Sequence, residues 1–326
     1  MPAGSIEEPV ITLENVSVFF SKKKLLGPLT VVKAVDSVSL QVGNGEIVGL
    51  VGESGSGKTT LGRTAIGLQR STSGRILFTQ DGTSVDVGAA TGREWRSLRK
   101  HLQIIFQDPF SSIDPNMRVF DALRIPLQAQ GVKDKKKIQV MVTRVFESVG
   151  LSTDVLWDYV FQLSGGQRQR VSIARVLLLN PAFIVADEAV SMLDVSLKGD
   201  ILNIMRKIAD ELDVGILFIT HEMAVAKIIA DRIAVMYLGN LVELGPANEV
   251  VAKPLHPYTQ ALLQASPTID PSLRDTIRTI NIKGEIPNST AFPSGCRFHP
   301  RCPFAMERCT NEVPGMREVE RGHYVS

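Results

Sequence analysis

The segment Gly52-Glu53-Ser54-Gly55-Ser56-Gly57-Lys58-Thr59 constrains this chain most, because its spacing, G-x-x-x-x-G-K-S/T, has a mechanical meaning only between a strand and a helix. Both flanks are present: Glu46 to Val51 is a strand-length apolar run ending at Gly52, and Thr59 to Gly67 reads as a helix. Glycines let such a loop curl until backbone N–H groups from Gly52 through Ser54, Gly55, Gly57 and Thr60 face an anion. The helix N-terminus behind Gly57 adds a favourable dipole end. Lys58 would neutralise phosphate charge, and the Thr59 hydroxyl would ligate Mg²⁺. The unit places the core in the α/β class.

Gln103 to Phe106, Phe183 to Ala186, Ile216 to Thr220 and Ile233 to Tyr237 are short apolar runs suited to central strands of a covered sheet. Ile11 to Phe20 and Val32 to Val42 alternate apolar and polar residues, the pattern of antiparallel strands with one covered face. From Asp108 to about residue 170 the pattern turns helical, as in Met141 to Val149, which reads as a helical insertion in the α/β core. Prolines at 254, 257, 267, 271, 287 and 293 mark a change of composition, and a domain boundary is expected near residue 245. That divides the chain into 1–245 and 246–326.

Charge is balanced, 36 basic against 34 acidic residues, which argues against nucleic acid as the main partner. The basic run Lys133 to Lys137 reads as a solvated loop or helix start. No stretch approaches the roughly 20 apolar residues of a membrane span, and Met1 to Pro9 carries no apolar signal core, so an intracellular protein is expected.

Two further segments carry chemistry. Phe183-Ile184-Val185-Ala186-Asp187-Glu188 is an apolar strand ending in two carboxylates, the first placed to hold Mg²⁺ and the second to polarise an attacking water. Leu163-Ser164-Gly165-Gly166-Gln167 lies about a hundred residues beyond the glycine-rich loop. The Ser164 hydroxyl and the N–H groups around Gly165 and Gly166 form a second anion cradle at a helix start.

Together these segments resemble an ABC-transporter ATPase, more narrowly the oligopeptide/dipeptide/nickel (Opp/Dpp) importer subfamily, which includes archaeal oligosaccharide importers. The match rests on Gly52 to Thr59, Phe106-Gln107-Asp108-Pro109, Leu163 to Arg170, Asp187-Glu188 and Ser191 to Asp194. Ile219-Thr220-His221, Leu255-His256-Pro257-Tyr258-Thr259, Gly295-Cys296 and Arg301-Cys302-Pro303 extend it over residues 10–326. The resemblance implies a nucleotide-binding domain with a mixed central sheet, an antiparallel β subdomain, a helical subdomain at about 108–170, and a small cysteine-containing C-terminal domain.

Site roles follow from the same resemblance. ATP would be the nucleotide, with Thr59, Gln107 and Asp187 around Mg²⁺ and Glu188 as catalytic base. Gln107 resembles the glutamine that senses the membrane subunit, and His221 the switch histidine at the γ-phosphate. Asp194 resembles the aspartate coupling the two sites of a dimer. Phe20 matches the aromatic that stacks on adenine, with Phe19 as its rival. Ser164 to Gln167 of one subunit would close over ATP held by another. Leu61-Gly62-Arg63-Thr64 and the stretch from Gln107 resemble the F-type ATPase, so a non-identical D-type partner is implied. Two permease subunits and an extracellular solute-binding protein complete such importers, with the ATPase on the cytoplasmic face of the membrane. Ser111 and Asp114 would face the permease.

Ala189, Met192 and Tyr159-Val160-Phe161-Gln162 depart from the family's usual residues, the last beside the surface that meets the permease. Cys296, Cys302 and Cys309 match the subfamily's 4Fe–4S motif. A fourth cysteine would fall about where the sequence stops: either the chain is cut short there, or a non-cysteine ligand completes the site, with His323 as the candidate. Zinc, or three free cysteines, are the alternatives. An ABC ATPase acting on nucleic acid or ribosomes is the second reading of function. It is disfavoured by the single cassette and by the Leu255 to Thr259 and cysteine segments.

Overall fold

Apolar runs without polar interruption need cover on both faces, and β3 (Ile47–Val51), β7 (Phe183–Asp187) and β8 (Gly215–Thr220) are buried at every position. In the computed structural model, residues 8–22, 30–108, 113–265, 282–284, 287 and 292–326 are described. The three strands lie inside an eight-stranded sheet whose order, among the described residues, is β11-β12-β10-β9-β3-β8-β7-β6. Here β6 is Leu102–Ile105, β9 Arg232–Tyr237, β10 Asn240–Pro246, β11 Arg317–Glu320 and β12 His323–Val325. Pairings from β6 through β7, β8 and β3 to β9 are parallel. Those joining β9, β10, β12 and β11 are antiparallel.

The alternating segments form a second, antiparallel sheet of order β2-β1-β4-β5. It contains β1 (Pro9–Lys22), β2 (Thr30–Gly43), β4 (Ser73–Gln80) and β5 (Thr83–Asp86). Val16, Val18, Val35, Val38 and Leu40 turn inward and join Leu50, Val185 and Ile219 of the main sheet in one apolar layer. The expected mixed sheet and antiparallel subdomain are both present.

Helices at Val119–Ala129, Lys135–Ser148 and Gly165–Leu177 build the helical region. The second buries Ile138, Val142 and Phe146, at i, i+4 and i+8 along one face. Asp134 caps it by accepting from the N–H groups of Lys136 and Lys137, so the basic run is a solvated helix start. Among the described residues, no helix is long and apolar enough to cross a membrane.

Composition changes near residue 245, yet the chain beyond it returns to the same sheet through β12, which pairs with β10. Tyr237 of β9 packs against Tyr258 and Phe298, with ring centroids 4.5 and 5.3 Å away. Residues on either side of 245 therefore share one apolar cluster, with Val51 and Met223 on one side and Tyr258 and Phe298 on the other.

Candidate functional site

The glycine-rich loop is shaped by sterics at its helix end. Gly57 has φ of +105°, and a Cβ there would lie 2.1 Å from the Ala34 carbonyl oxygen. Only glycine fits. The helix Lys58–Ala65 follows directly and packs so close to the sheet that a Cβ on Gly62 would fall 2.6 Å from Ile219 and 2.8 Å from Val185. Lys58 Nζ donates to the carbonyl oxygens of Gly52 (2.7 Å) and Glu53 (2.9 Å). Burial lowers its pKa, opposed by the carboxylates of Glu188, Asp187 and Glu53.

Asp187 ends β7 beside that helix, and Thr59 Oγ1 donates to its Oδ1 at 2.9 Å. Burial raises the Asp187 pKa, while the Thr59 hydrogen bond and the nearby Arg63 lower it. A hydroxyl next to a carboxylate under desolvation pressure suits Mg²⁺, which takes one or two protein oxygens and fills its octahedron with phosphate and water. Gln107, expected around Mg²⁺ from the resemblance, directs its amide to Glu188.

Glu188 sits on a backbone with φ of +49°, unusual for a residue with a side chain. Its carbonyl accepts from the Ser191 N–H and hydroxyl, and its own N–H donates to the Ile219 carbonyl at 3.0 Å. Those bonds turn the carboxylate out of the strand. Gln107 Nε2 then donates to Glu188 Oε2 at 3.1 Å, and His221 Nδ1 lies 3.4 Å from Oε1. Gln107 follows β6, Glu188 follows β7 and His221 follows β8, so three adjacent parallel strands deliver these side chains to one point. A carboxylate held between an amide and an imidazole can orient and deprotonate a water.

Beside the loop, a cleft of about 200 Å³ is lined by Ser54, Gly55, Gly57, Lys58, Thr59, Thr60 and Glu188, together with Val32, Lys33, Ala34, Leu238 and Phe292. Phe20 pairs with Val32 across β1 and β2, which places both on one face, and it is exposed. Its rival Phe19 is half-buried under Lys33, whose Nζ is 5.3 Å from the ring. Phe292 was not foreseen from sequence. It reaches the cleft from beyond residue 245, and Arg297 stacks over its ring at 4.2 Å.

Ser164 caps the helix Gly165–Leu177: its hydroxyl accepts from the Gln167 N–H, and Gln167 Oε1 accepts from the Ser164 N–H at 2.9 Å. The Gln167 side chain thus serves the cap. Gly166 is buried against Leu197, whereas Ser164 and Gly165 are exposed and contribute no wall to the cleft. Asp194, also exposed, begins the helix Val195–Leu212 without capping it through its side chain.

Nearby, Tyr159 and Phe161 stack at 5.6 Å and stand exposed, with Trp157 stacked on Phe120 at 5.3 Å. Asp114 is exposed as well; Pro109 and Ser111 lie outside the described residues.

Cys296, Cys302 and Cys309 are half-buried and unbridged. Burial pushes the Cys296 and Cys302 thiols up, and each feels the charge of Cys309. Among the described residues, no group of three or more His, Cys, Asp or Glu side chains is arranged to hold a metal ion. The suggestion that His323 completes such a set is corrected by the structure. His323 is buried in β12 with Nε2 2.8 Å from Glu243 Oε1, and Glu243 also accepts from the N–H groups of Leu255 and His256. A fully buried carboxylate needs those partners, and the imidazole is committed to it.

Comparison with known proteins gives this arrangement its family. The ABC transporter family matches residues 35–191, and the oligopeptide/dipeptide transporter C-terminal region matches residues 242–309. A Brucella ovis protein provisionally named a peptide import ATP-binding protein is 42% identical over 98% of this chain and 97% of its own. The chain belongs to the ABC transporter family. AppF, an oligopeptide transport ATP-binding protein of Bacillus subtilis, is 39% identical over 98% of this ABC chain and 97% of its own. Among solved ABC structures, CbiO1 of Clostridium perfringens superposes with a TM-score of 0.64 at 25% identity, covering 76% of this chain and 92% of its own. The ATP-binding cassette MJ0796, a post-hydrolysis dimer bound to ADP and Pi, gives 0.63 at 25% identity, covering 73% and 98%. As an ABC ATPase, the chain acts on ATP with Mg²⁺.

Proposed function

We propose that this chain is the ATP-hydrolysing motor of a peptide importer, working on the cytoplasmic face of the membrane through permease subunits. One observation carries the mechanism: Gln107, Glu188 and His221 meet at the open end of three parallel strands beside the phosphate loop. The relatives' names carry the cargo class.

In this reading the N–H groups of Ser54 to Thr60 and the Lys58 ammonium bind the ATP phosphates, and Phe20 stacks on the adenine. Thr59 and Asp187 would hold Mg²⁺, which supplies charge neutralisation on the phosphate oxygens. Glu188 takes the proton of the attacking water while Gln107 and His221 fix its carboxylate. Ser164, Gly165 and Gly166 of a second ATPase close over the γ-phosphate, and Asp194 relays between the two sites. ATP is then bound from both sides, and its hydrolysis removes charge that both were holding, so the dimer reopens. The exposure of Ser164 and Gly165, outside their own subunit's cleft, supports this use in trans.

The partner is a non-identical D-type ATPase, on the F-type character of Leu61 to Thr64 and of the residues from Gln107. Trp157, Tyr159 and Phe161 supply the permease-facing surface. Residues 246–326 form the subfamily's appendage to the 1–245 cassette. A 4Fe–4S cluster or zinc at Cys296, Cys302 and Cys309 is a separate reading that rests on resemblance; iron, sulfide and zinc analysis of anaerobically purified protein decides it. Reconstitution with permeases and binding protein tests the whole: peptide-stimulated ATP turnover upholds it, and turnover indifferent to the permease refutes it.

A further inference from the structure

Glu53, the second residue of the phosphate loop, is held at three points. Its N–H donates to the Tyr258 phenolic oxygen at 2.8 Å. Its carboxylate receives both terminal nitrogens of Arg301, at 3.0 and 3.3 Å. Its carbonyl accepts from Lys58 Nζ at 2.9 Å. Tyr258 and Arg301 lie 205 and 248 residues away in sequence, both beyond residue 245. Both are buried, at 0% and 7% exposure, and neither lines the nucleotide cleft.

We propose that Tyr258 and Arg301 are positioning residues for ATP, fixing the phosphate loop through Glu53. The loop needs such a hold. Its stem is pinned by packing, since a Cβ on Gly52 would meet the Met236 carbonyl at 2.2 Å, while the apex residue Gly55 has open space around it. Between stem and apex, Tyr258 takes the Glu53 N–H out of the set that can face an anion. The two-pronged Arg301 contact fixes the rotation of the same residue. Glu53 in turn presents one of the two carbonyls that hold Lys58. A loop ordered beforehand gives up less conformational freedom when phosphate arrives. The C-terminal region thereby acts on nucleotide affinity without touching nucleotide.

The inference rests on Gly52 to Thr59 being the ATP phosphate loop, and the experiment separates the two. MgATP binding by titration calorimetry, KM, kcat and melting temperature are measured on the full chain and its variants. Tyr258→Phe keeps the ring packed against Tyr237 and Phe298 and deletes only the acceptor; Glu53→Gln keeps the backbone and deletes the ion pair. Each should weaken ATP binding about three- to tenfold, the worth of one buried hydrogen bond, with KM rising in step and kcat within about twofold. Arg301→Gln should do the same, and Arg301→Lys should recover part of the affinity. Wild-type affinity in Tyr258→Phe and Glu53→Gln overturns the proposal, whatever happens to melting temperature. In Lys58→Ala, undiminished ATP binding would instead remove the loop reading itself.

Discussion

The side-chain amide of Gln107 and the carboxylate of Glu188 are joined by a 3.1 Å hydrogen bond that spans 81 residues of sequence. The bond ties the residues that follow β6 to the proposed base. A shift of the residues after β6 would be felt at Glu188, so under the proposed function this pair is where a docked permease would act on hydrolysis.

Replacing Glu188 with glutamine removes the proton acceptor and leaves the Lys58 loop intact. Turnover should drop by about 10²–10³, the usual cost of deleting one preorganised catalytic group, while ATP remains bound. Light scattering with ATP should show a persistent dimer with the partner ATPase. Unimpaired turnover would remove Glu188 from its role.

Gly62→Ala probes the contact between the first helix and the sheet. A methyl group 2.6 Å from Ile219 and 2.8 Å from Val185 forces two core side chains to move. The expected loss is about 1–3 kcal/mol, seen as a lower denaturant midpoint with an unchanged slope. An unaltered midpoint would show that the interface yields freely.

Burial pushes the His256 pKa down to about 4 from an ordinary 6.5. Its Nδ1 accepts from the Tyr258 N–H at 3.0 Å, an interaction of the neutral ring. The folded state therefore binds fewer protons than the unfolded chain between these values. Stability should be full above pH 6.5 and fall as the pH drops toward 4, by on the order of 2–3 kcal/mol. Chemical denaturation across this window, repeated with His256→Asn, checks the assignment; an equally steep loss in the variant would place its cause elsewhere.

Phe161→Ser and Tyr159→Ser alter exposed rings outside the nucleotide cleft. The isolated subunit should keep its basal ATPase within about twofold, whereas stimulation by permease should collapse, because aromatic side chains often anchor such interfaces. Retained stimulation would move the docking surface to another face.

Much of this could be read from the sequence, and what could not has a common cause. The uninterrupted runs of β3, β7 and β8 announce buried parallel strands, and the alternation in β1 and β2 announces their pairing. Strands β11 and β12 gave no such signal. Arg317 to Glu320 is exposed throughout and His323 to Val325 is three residues long, so pairing rather than pattern makes them strands. In the site, the strand-ending carboxylate pair pointed to Glu188, whereas Gln107 and His221 were reached through the family resemblance. Their meeting at 3.1 and 3.4 Å belongs to the sheet order. Phe292 and the hold on Glu53 were invisible, since nothing near residues 258, 292 or 301 refers to a loop more than two hundred positions earlier. The reading of His323 as a ligand failed for the same reason: its partner, Glu243, is set by an antiparallel pairing across 80 residues.

That last pairing bears on how the molecule comes into being. Strand β10 and Glu243 leave the ribosome 80 residues before His323 does. In the interval β10 is paired on one side only, with β9, and Glu243 has the N–H groups of Leu255 and His256 as partners without the imidazole. Until β12 arrives, the free side of β10 is open to other strand partners, and the pairing of β12 with β10 closes it.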